Sequence, residues 1–498
     1  MVRSEIRKLI EKSLKKLSWK IPDFSVEKPR EPENGDYAAN IAMLLLQKKD
    51  KSPMEKAETI KSEIMGCGKN FFDKIKIAEP GFINFFLSKE YLQKQLAVIF
   101  KRNEPIFLKI GKNQKINIEF ISANPTGPLT LGNGRGGFCG DVLANVLEKA
   151  GYKVTREFYI NDRGKQIGDL KKGLYKGEKR TASQIQKENQ RVIEKKLKIK
   201  FDVWFSEKSL YKNKEIDRIF DFFKKNKLSY KKEGALWFRS TKFGDDKDRV
   251  LIKSSEEETY LASDAAYLKN KFERGFEKLI YLWGADHYGY FKTMRAVARA
   301  LGYKKEQIDF IIMQMVRFFE KGKTSKMSKR SGFFIPLEKL VDEVGLDVAR
   351  FFFLQRSPGS HLNFDFDLAK EKSQNNPVYY VQYAYARMSS ILEKSEIKIQ
   401  KSKFRNSELL THQSELALIK QLIRFPEIIE DTVEDYQVQR IPNYVLELVS
   451  SFHKFYENCR ILSEKKELSS ARLDLVLSVQ KILKEALDLM GLSAPKTM

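Results

Sequence analysis

The sequence predicts a multidomain protein in which a parallel α/β domain lies between a small N-terminal α/β domain and a C-terminal all-helical domain. The first observation is a strand, a glycine-rich turn and a helix in succession over Lys115–Asp141, KINIEFISANPTGPLTLGNGRGGFCGD. The second is an apolar strand, Lys278–Trp283, that ends in polar residues. The third is a nearly continuous helical pattern from about residue 371. A chain of 498 residues has room for about three such domains.

Composition narrows the class of protein. The hydrophobic fraction of 42% supports a real core, and the absence of a long apolar run predicts no transmembrane helix. The 92 basic and 66 acidic residues leave a net charge of +26, which favours a polyanionic partner. A general lysine bias of the source proteome is the alternative, and charge alone does not separate RNA from DNA. Three scattered cysteines without metal spacing, Cys67, Cys139 and Cys459, indicate a reducing cytoplasm.

Residues 1–105 are predicted to form the small α/β domain. An amphipathic helix opens it, a turn-rich loop follows, and a second helix is expected from Tyr37 to about Lys48. Phe82–Leu87 is predicted to be a strand. Three aromatic side chains of this segment are better interpreted as core residues than as base-stacking residues: Tyr37, Phe71 and Phe72.

Residues 106–370 are predicted to form the α/β domain, with an insertion at about 165–250. The turn after the first strand presents backbone N–H groups and a helix N-terminus, which suits a phosphate. The glycines match neither GxGxxG nor a Walker loop, so a tight structural turn is the alternative. The lysine-rich insertion is expected to be helical, with Trp204 and Trp237 in a small core of its own.

Two further segments of this domain carry candidate chemistry. Asp286 and His287 follow the strand Lys278–Trp283, where parallel sheets bind ligands, although a histidine there is often structural. Lys321–Gly332, KGKTSKMSKRSG, is a basic loop rich in small residues. A plain solvated loop is the alternative interpretation of that charge run.

The glycine turn and the basic loop together resemble the two signature motifs of class I aminoacyl-tRNA synthetases. The sequence KMSKR at 326–330 matches the second motif closely, and the flanking sequences SANPTGPL at 122–129 and NDRG at 161–164 resemble arginyl-tRNA synthetases. One departure concerns the first motif, whose terminal histidines are replaced here by Thr130 and Asn133. A hydroxyl and an amide still donate hydrogen bonds to phosphate, but neither carries a positive charge.

The resemblance implies a Rossmann-like catalytic domain over 106–370. It also implies an N-terminal tRNA-contacting domain over 1–105 and a helical anticodon-binding domain over 371–498. The implied reaction activates L-arginine with ATP to arginyl-adenylate and transfers it to the 3′ end of the tRNA for arginine. Mg²⁺ would enter with ATP and not through a protein-bound metal site. A cytoplasmic monomer that binds neither DNA nor membrane is expected.

The resemblance also implies the roles of individual residues. Stabilisation of the reacting phosphates is assigned to four residues: Lys326, Lys329, Thr130 and Asn133. ATP binding is assigned to five more: Gly132, Gly134, Met327, Ser328 and Arg330. Arginine binding is assigned to six: Glu119, Asn124, Tyr260, Asp264, Asp286 and His287.

Two alternatives stay open at the level of sequence. Another adenylate-forming nucleotidyltransferase would share the nucleotide-binding core but would leave the terminal domains without a role. A non-catalytic tRNA-binding paralogue would account for the replaced histidines. For each carboxylate taken alone, a surface salt bridge is the simpler explanation.

Overall fold

A computed structural model describes most of the chain. The described residues are 1–46, 51–67, 70–101, 109–163, 180–325, 335–395, 406–463 and 465–498. The sequence KMSKR at 326–330 therefore lies outside the described residues.

The N-terminal domain is an antiparallel sheet with helices packed on it. The sheet order is β1 (Val26–Glu27), β2 (Tyr37–Ala39), β4 (Phe82–Leu87) and β3 (Phe72–Ala78). The helices are α1 (Val2–Lys16), α2 (Ile41–Leu44), α3 (Pro53–Cys67) and α4 (Lys89–Lys101). The predicted strand over Phe82–Leu87 is confirmed.

The predicted helix from Tyr37 to about Lys48 is wrong at its start. Tyr37 pairs with Phe85 across the sheet, and only the four-residue helix α2 follows. The Tyr37 ring is buried, and its hydroxyl donates to Glu427 Oε2 at 2.9 Å in the helical domain. This long-range contact and the β4 pairing favour the strand over the local helical pattern. Tyr37, Phe71 and Phe72 are all buried, as predicted.

The central domain is built on a five-stranded, fully parallel sheet. Its order is β12 (Ile308–Met313), β11 (Lys278–Gly284), β5 (Lys115–Glu119), β6 (Lys153–Ile160) and β7 (Val203–Ser206). Three helices pack against it: α5 (Leu131–Lys149), α9 (Tyr260–Glu273) and α10 (Tyr290–Ala300). Because all five strands are parallel, their carboxyl ends form one edge where a ligand can bind.

The inserted segment differs from its prediction. Its described residues, 180–250, include the α-helices α6 (Ala182–Arg191), α7 (Glu207–Lys212) and α8 (Glu215–Lys225), and a short π-helix at Val192–Lys196. It also contains an antiparallel sheet of β8 (Ser229–Lys232), β9 (Ala235–Phe238) and β10 (Arg249–Ile252). Trp204 lies on β7 of the main sheet, 4.7 Å from Phe158, whereas Trp237 stacks on Tyr230 at 6.5 Å. The two tryptophans therefore do not share a core.

The remaining part of the central domain follows the main sheet. It comprises β13 (Val316–Glu320), β14 (Lys323–Ser325), β15 (Leu362–Asp365), α11 (Leu337–Val344), α12 (Leu346–Leu354) and α13 (Phe366–Lys370). Strand β13 pairs with β14 antiparallel and with β15 parallel. The strands β13 and β14 thus lead the chain up to Ser325, directly before the KMSKR sequence.

The C-terminal domain is helical, as predicted. Its helices are α14 (Pro377–Lys394), α15 (Gln413–Asp435), α16 (Arg440–Asn458) and α17 (Lys466–Met490). The predicted start at Pro377 is confirmed, and Asn376 Oδ1 caps it by accepting from Val378 N at 3.0 Å. Among the described residues, no helix is long and apolar enough to cross a membrane.

Arg350 joins the C-terminal domain to the helix that follows the glycine turn. Its guanidinium is buried and donates to Asp141 of α5 at 2.7 Å and to the carbonyl of Met490 at 3.1 Å. Gly491 ends α17 with φ of +68°, and a Cβ there would lie 2.5 Å from Arg350 Nη1. A glycine is required at this position both for its backbone conformation and for the close approach of Arg350.

Candidate functional site

The glycine-rich segment, predicted as a turn with a helix from Gly140, instead forms the first turns of helix α5, which begins at Leu131 at the carboxyl edge of the main sheet. Thr130 is the N-cap, and Thr130 and Asn133 form a reciprocal capping box. Thr130 Oγ1 accepts from Asn133 N at 3.2 Å, and Asn133 Oδ1 accepts from Thr130 N at 2.9 Å. The box uses Asn133 Oδ1, and no described residue accepts a hydrogen bond from its Nδ2 group. The two residues at the motif's histidine positions therefore hold each other at the helix start.

The two glycines assigned to ATP binding have different surroundings. Among the described residues, a Cβ at Gly132 would meet only Thr130 Oγ1, at 3.6 Å, which leaves its backbone accessible to a ligand on the described side of the site. A Cβ at Gly134 would lie 2.6 Å from Leu337 Cδ1, so this glycine permits close packing of α11 on α5. Arg135 is buried beyond them and donates to the carbonyls of Gln314 and Ser357 at 2.8 and 2.7 Å. The helix start is thereby tied to the end of β12.

Three carboxylates gather at the sheet edge beside this turn. Glu119 ends β5, Glu207 follows β7, and Asp264 lies one turn into α9. Glu119 Oε2 accepts from Lys271 Nζ at 2.6 Å and its Oε1 accepts from Ser122 Oγ at 3.1 Å. We call Glu119, Glu207 and Asp264 the carboxylate cluster.

The acids of the cluster repel one another. Burial, together with the negative charges of Glu119 and Glu207, raises the pKa of Asp264 to about 7. The Tyr290 hydroxyl opposes this shift by donating to Asp264 Oδ2 at 2.6 Å. Burial also raises the pKa of Glu207, and the neighbouring charge of Asp162 adds to the effect. A bound cation would relieve the repulsion between these acids.

Tyr260 and Tyr159 border the cluster. Tyr260 is four residues before Asp264 on α9, so the two side chains project from one helix face. The Tyr260 side chain is 61% exposed and is therefore free to contact a ligand. The Tyr159 hydroxyl, at the end of β6, is buried without a hydrogen-bond partner among the described residues. The exposed Tyr260 hydroxyl is available as a donor at the edge of the cluster.

The structure places the other predicted arginine-binding residues at the rim. Asp286 and His287 follow β11 in a single turn of 3-10 helix and are exposed, with His287 Nε2 3.8 Å from Asp286 Oδ2. Trp283 links them to the cluster, because its ring lies 5.7 Å from His287 and 5.9 Å from Tyr290. Asn124 is also exposed. None of the three rim residues bonds to the carboxylate cluster within the described part of the chain.

Glu207 is the member of the cluster that the sequence analysis missed. It comes directly after strand β7, so the rule that placed Asp286 and His287 at a strand end applies equally to it. The signal was obscured because the strand was assigned to the insertion. The Asn161 amide lies between Glu207 and Asn124, with contacts of 3.0 Å to Glu207 Oε2 and 3.3 Å to Asn124 Oδ1.

A second polar network, which we call the network below the site, lies around Glu157 on β6. Glu157 is fully buried on β6 and accepts two hydrogen bonds of 2.7 Å from Arg274. It also accepts from Asn117 Nδ2 at 2.9 Å and from the Tyr267 hydroxyl at 2.5 Å. The network fixes α9 on β5 and β6, and its carboxylate is fully partnered.

Five predicted site residues cannot be placed, because they lie outside the described residues: Lys326, Met327, Ser328, Lys329 and Arg330. In the part of the chain that is described, no group of three or more His, Cys, Asp or Glu side chains is arranged to hold a metal ion.

The helical domain carries a separate pocket of about 1000 Å³. Tyr379 and Tyr383 stack along α14 with centroids 6.3 Å apart, and Arg387 lies 5.1 Å from the Tyr383 ring and 5.0 Å from the Tyr456 ring. Basic side chains and the chain terminus complete the lining: Lys394, Arg460, Lys496 and Met498. Stacked aromatic rings with an interleaved guanidinium suit unpaired nucleobases.

Comparison with protein families assigns all three domains. Residues 4–87 match the arginyl tRNA synthetase N terminal domain. Residues 95–203 and 179–355 match the catalytic domain of the tRNA synthetases class I (R). Residues 381–498 match the DALR anticodon binding domain.

Individual relatives agree with these matches. An arginine–tRNA ligase of Caldanaerobacter subterraneus is 41% identical, with 96% of this chain and 94% of the relative covered. One of Bacillus cereus is 40% identical over 100% of this chain and 98% of its own length. Among solved structures, a putative arginyl-tRNA synthetase of Campylobacter jejuni is 30% identical with a TM-score of 0.72, covering 83% of this chain and 100% of its own. The arginyl-tRNA synthetase of Thermus thermophilus has a TM-score of 0.79 at 21% identity and full coverage of both chains, a likeness of fold.

Proposed function

The chain belongs to the arginyl-tRNA synthetase family, and we propose that it binds L-arginine at the carboxylate cluster and joins it to tRNA. The observation that carries this placement is the convergence of Glu119, Glu207 and Asp264 on one edge of the parallel sheet. A guanidinium is a planar cation with five donors, and carboxylates bind it through paired, charge-assisted hydrogen bonds. The enzyme is an aminoacyl-tRNA ligase of class I.

In the proposed orientation, the guanidinium lies against Asp264 and Glu207, with the Tyr260 hydroxyl beside it. Glu119 and Asn124 face the amino-acid end of the substrate. This arrangement rejects lysine, because a single ammonium cannot satisfy two carboxylates in a planar geometry. Asp286 and His287 complete the pocket at its rim, on the side of β11.

The reaction itself needs positioned donors and no protein nucleophile. The arginine carboxylate attacks the α-phosphate of ATP, the bond to the β-phosphate breaks, and pyrophosphate leaves with its electron pair. A ribose hydroxyl of the tRNA then attacks the adenylate carbonyl, and AMP leaves. We place the ATP phosphates at the start of α5, where the helix N-terminus favours negative charge.

Thr130 and Asn133 take complementary roles in this proposal. The capping box fixes Asn133 Oδ1 toward Thr130, so that the Nδ2 group is the end left to donate to a phosphate oxygen. Thr130 acts as a positioning residue through Asn133. Lys326 and Lys329, with Ser328, supply the positive charge and hydrogen bond at the leaving pyrophosphate, and Gly132 allows close approach of the nucleotide.

We propose that tRNA binds across the protein with its anticodon bases in the pocket of the helical domain. Tyr383, Arg387 and Tyr456 provide ring faces and a guanidinium for unstacked bases. The net charge of +26 supports a salt-dependent contribution from the phosphates. Mg²⁺ enters with ATP, and the monomeric enzyme acts in the cytoplasm, where its three substrates are available.

Steady-state aminoacylation with arginine varied at saturating ATP and tRNA tests the placement of arginine. Asp264→Asn keeps the shape but loses the charge, and should reduce kcat/KM for arginine by about thirtyfold to nearly a thousandfold, equivalent to about 2–4 kcal/mol. The matched control is Asp217→Asn, at an exposed acid of α8. If Asp264→Asn uses arginine as well as the parent does, the proposed pocket is wrong.

A further inference from the structure

Lys271 is a fully buried lysine on α9, two turns beyond Asp264. Its Nζ lies 2.6 Å from Glu119 Oε2 and is enclosed by two aromatic rings, with centroids at 4.3 Å for Tyr267 and 4.2 Å for Tyr281. Removing an ammonium from water is costly, and apolar residues of similar volume often replace buried ion pairs without loss of stability. Stability alone therefore does not explain why this position carries a charge.

The ion pair orients a carboxylate of the proposed substrate pocket. Lys271 holds one Glu119 oxygen and Ser122 Oγ holds the other, at 3.1 Å. Ser122 is itself fixed, because Tyr159 N donates to its Oγ at 3.1 Å. Each carboxylate oxygen retains a second lone pair for a ligand, so both protein contacts constrain Glu119 without blocking it.

Lys271 also sets the charge that a substrate encounters. The cluster contains three carboxylates, and Lys271 is bonded directly to one of them. Beside the Lys271 ammonium, one further cation comes close to neutralising the remaining acids. Without it, the uncompensated negative charge would favour uptake of protons, which compete with arginine for the same oxygens.

We propose that Lys271 is a positioning residue for arginine activation, which fixes the orientation of Glu119 and limits the negative charge of the arginine pocket. The inference rests on the proposed placement of arginine at the carboxylate cluster. It assigns a role in the reaction to a side chain that is buried behind the pocket and does not contact the substrate.

The pH dependence follows from the groups around Asp264. These groups come from six elements: Glu119 on β5, Tyr159 on β6, Tyr281 on β11, Glu207 on α7, Lys271 on α9 and Tyr290 on α10. Lys271 is the positive charge among them and holds the pKa of Asp264 down against the two neighbouring acids. Loss of its charge raises that pKa further, so arginine binding weakens at a higher pH than in the parent.

Lys271→Gln provides the test, because glutamine can still donate to Glu119 but carries no charge. We expect the KM for arginine to rise about tenfold to a hundredfold with kcat changed less than about threefold. In a plot of kcat/KM for arginine against pH, we call the fall at low pH the acid limb. In Lys271→Gln this acid limb should lie about one pH unit higher than in the parent. The KM for ATP should stay unchanged.

Arg274→Gln is the matched control. Arg274 is a second cation, directly after α9, whose side chain is 28% exposed, and its carboxylate partner Glu157 belongs to the network below the site. This variant should lower the melting temperature and leave the acid limb in place. If Lys271→Gln loses stability and activity toward arginine and ATP in the same pattern as Arg274→Gln, its role is structural and the inference is overturned.

Ser122→Ala keeps the positioning claim testable if Lys271→Gln does not fold. It removes the other contact to Glu119 without changing charge, and should raise the KM for arginine about threefold to tenfold with no movement of the acid limb. An unchanged KM in Ser122→Ala would overturn the positioning role, and a parent enzyme without an acid limb would overturn the charge-setting role. Failure of the pocket itself would be seen separately, as normal arginine use by Asp264→Asn.

Discussion

Lowering the pH from 8 to 6 should weaken arginine binding through protonation of Asp264. An aspartate with a pKa of about 7 is mostly ionised at pH 8 and mostly protonated at pH 6. Only the ionised form accepts paired hydrogen bonds from a guanidinium, so arginine must displace the proton at the lower pH. Arginine affinity is therefore full above pH 7 and falls as the pH decreases through that value.

The size of the effect follows from the titration. With a pKa of about 7, roughly one carboxylate in eleven is ionised at pH 6, compared with about nine in ten at pH 8. The KM for arginine should accordingly rise about tenfold, equivalent to about 1.4 kcal/mol. An aspartate with an ordinary pKa would be fully ionised over this range and would give no change.

ATP–pyrophosphate exchange at several arginine concentrations, with tRNA present, measures this dependence. Asp264→Asn should have a higher KM that no longer varies between pH 6 and 8, and the KM for ATP should be flat in both proteins. Calorimetry in buffers of different ionisation enthalpy should detect a proton released when arginine binds near pH 6. A KM for arginine that is constant from pH 6 to 8 in the parent enzyme would refute the reasoning.

Four further outcomes are expected. Gly491→Ala should lower the free energy of unfolding by about 2–3 kcal/mol, since its Cβ would collide with Arg350, whereas Gly359→Ala, with open space around it, should be near neutral in thermal denaturation. Thr130→Ala removes a helix cap and should cost about 1 kcal/mol of stability, with reduced turnover from the released Asn133. Lys329→Ala should slow adenylate formation in rapid-quench assays far more than it weakens arginine binding in equilibrium titrations. Binding of the tRNA for arginine should weaken steeply across a salt series in filter assays, and equal affinity for an unrelated tRNA at moderate salt would contradict specific recognition.

The order of domains and the main strands were accessible from the sequence because they depend on local patterns. Apolar alternation at Lys115–Glu119 predicts a strand, which is present, but the helix expected from Gly140 begins at Leu131, so the glycines lie within it. The spacing of Tyr260 and Asp264 places them on one helix face without tertiary information. The helical domain follows from periodicity alone.

Local patterns failed where distant segments decide the conformation. Tyr37 was expected in a helix, but it pairs with β4 and bonds to Glu427, 390 residues later in the chain. Trp204 was assigned to the insertion, yet β7 adds to the edge of the main sheet and carries Glu207 to the site. Thr130 and Asn133 are close in sequence, but only the structure shows that the Asn133 Oδ1 atom faces Thr130 and that its Nδ2 group therefore faces away.

The sequence by itself determined which residue types and which folded units are present, because helical and strand periodicity and the signature motifs extend over short stretches of chain. Only the tertiary structure decided the electrostatics of the site. Lys271 and Glu119 are 152 residues apart in the chain, yet 2.6 Å separates their charged atoms. The raised pKa of Asp264 depends on burial and on acids that come from other strands and helices. Desolvation and Coulomb energy depend on distance in space, and folding alone sets that distance.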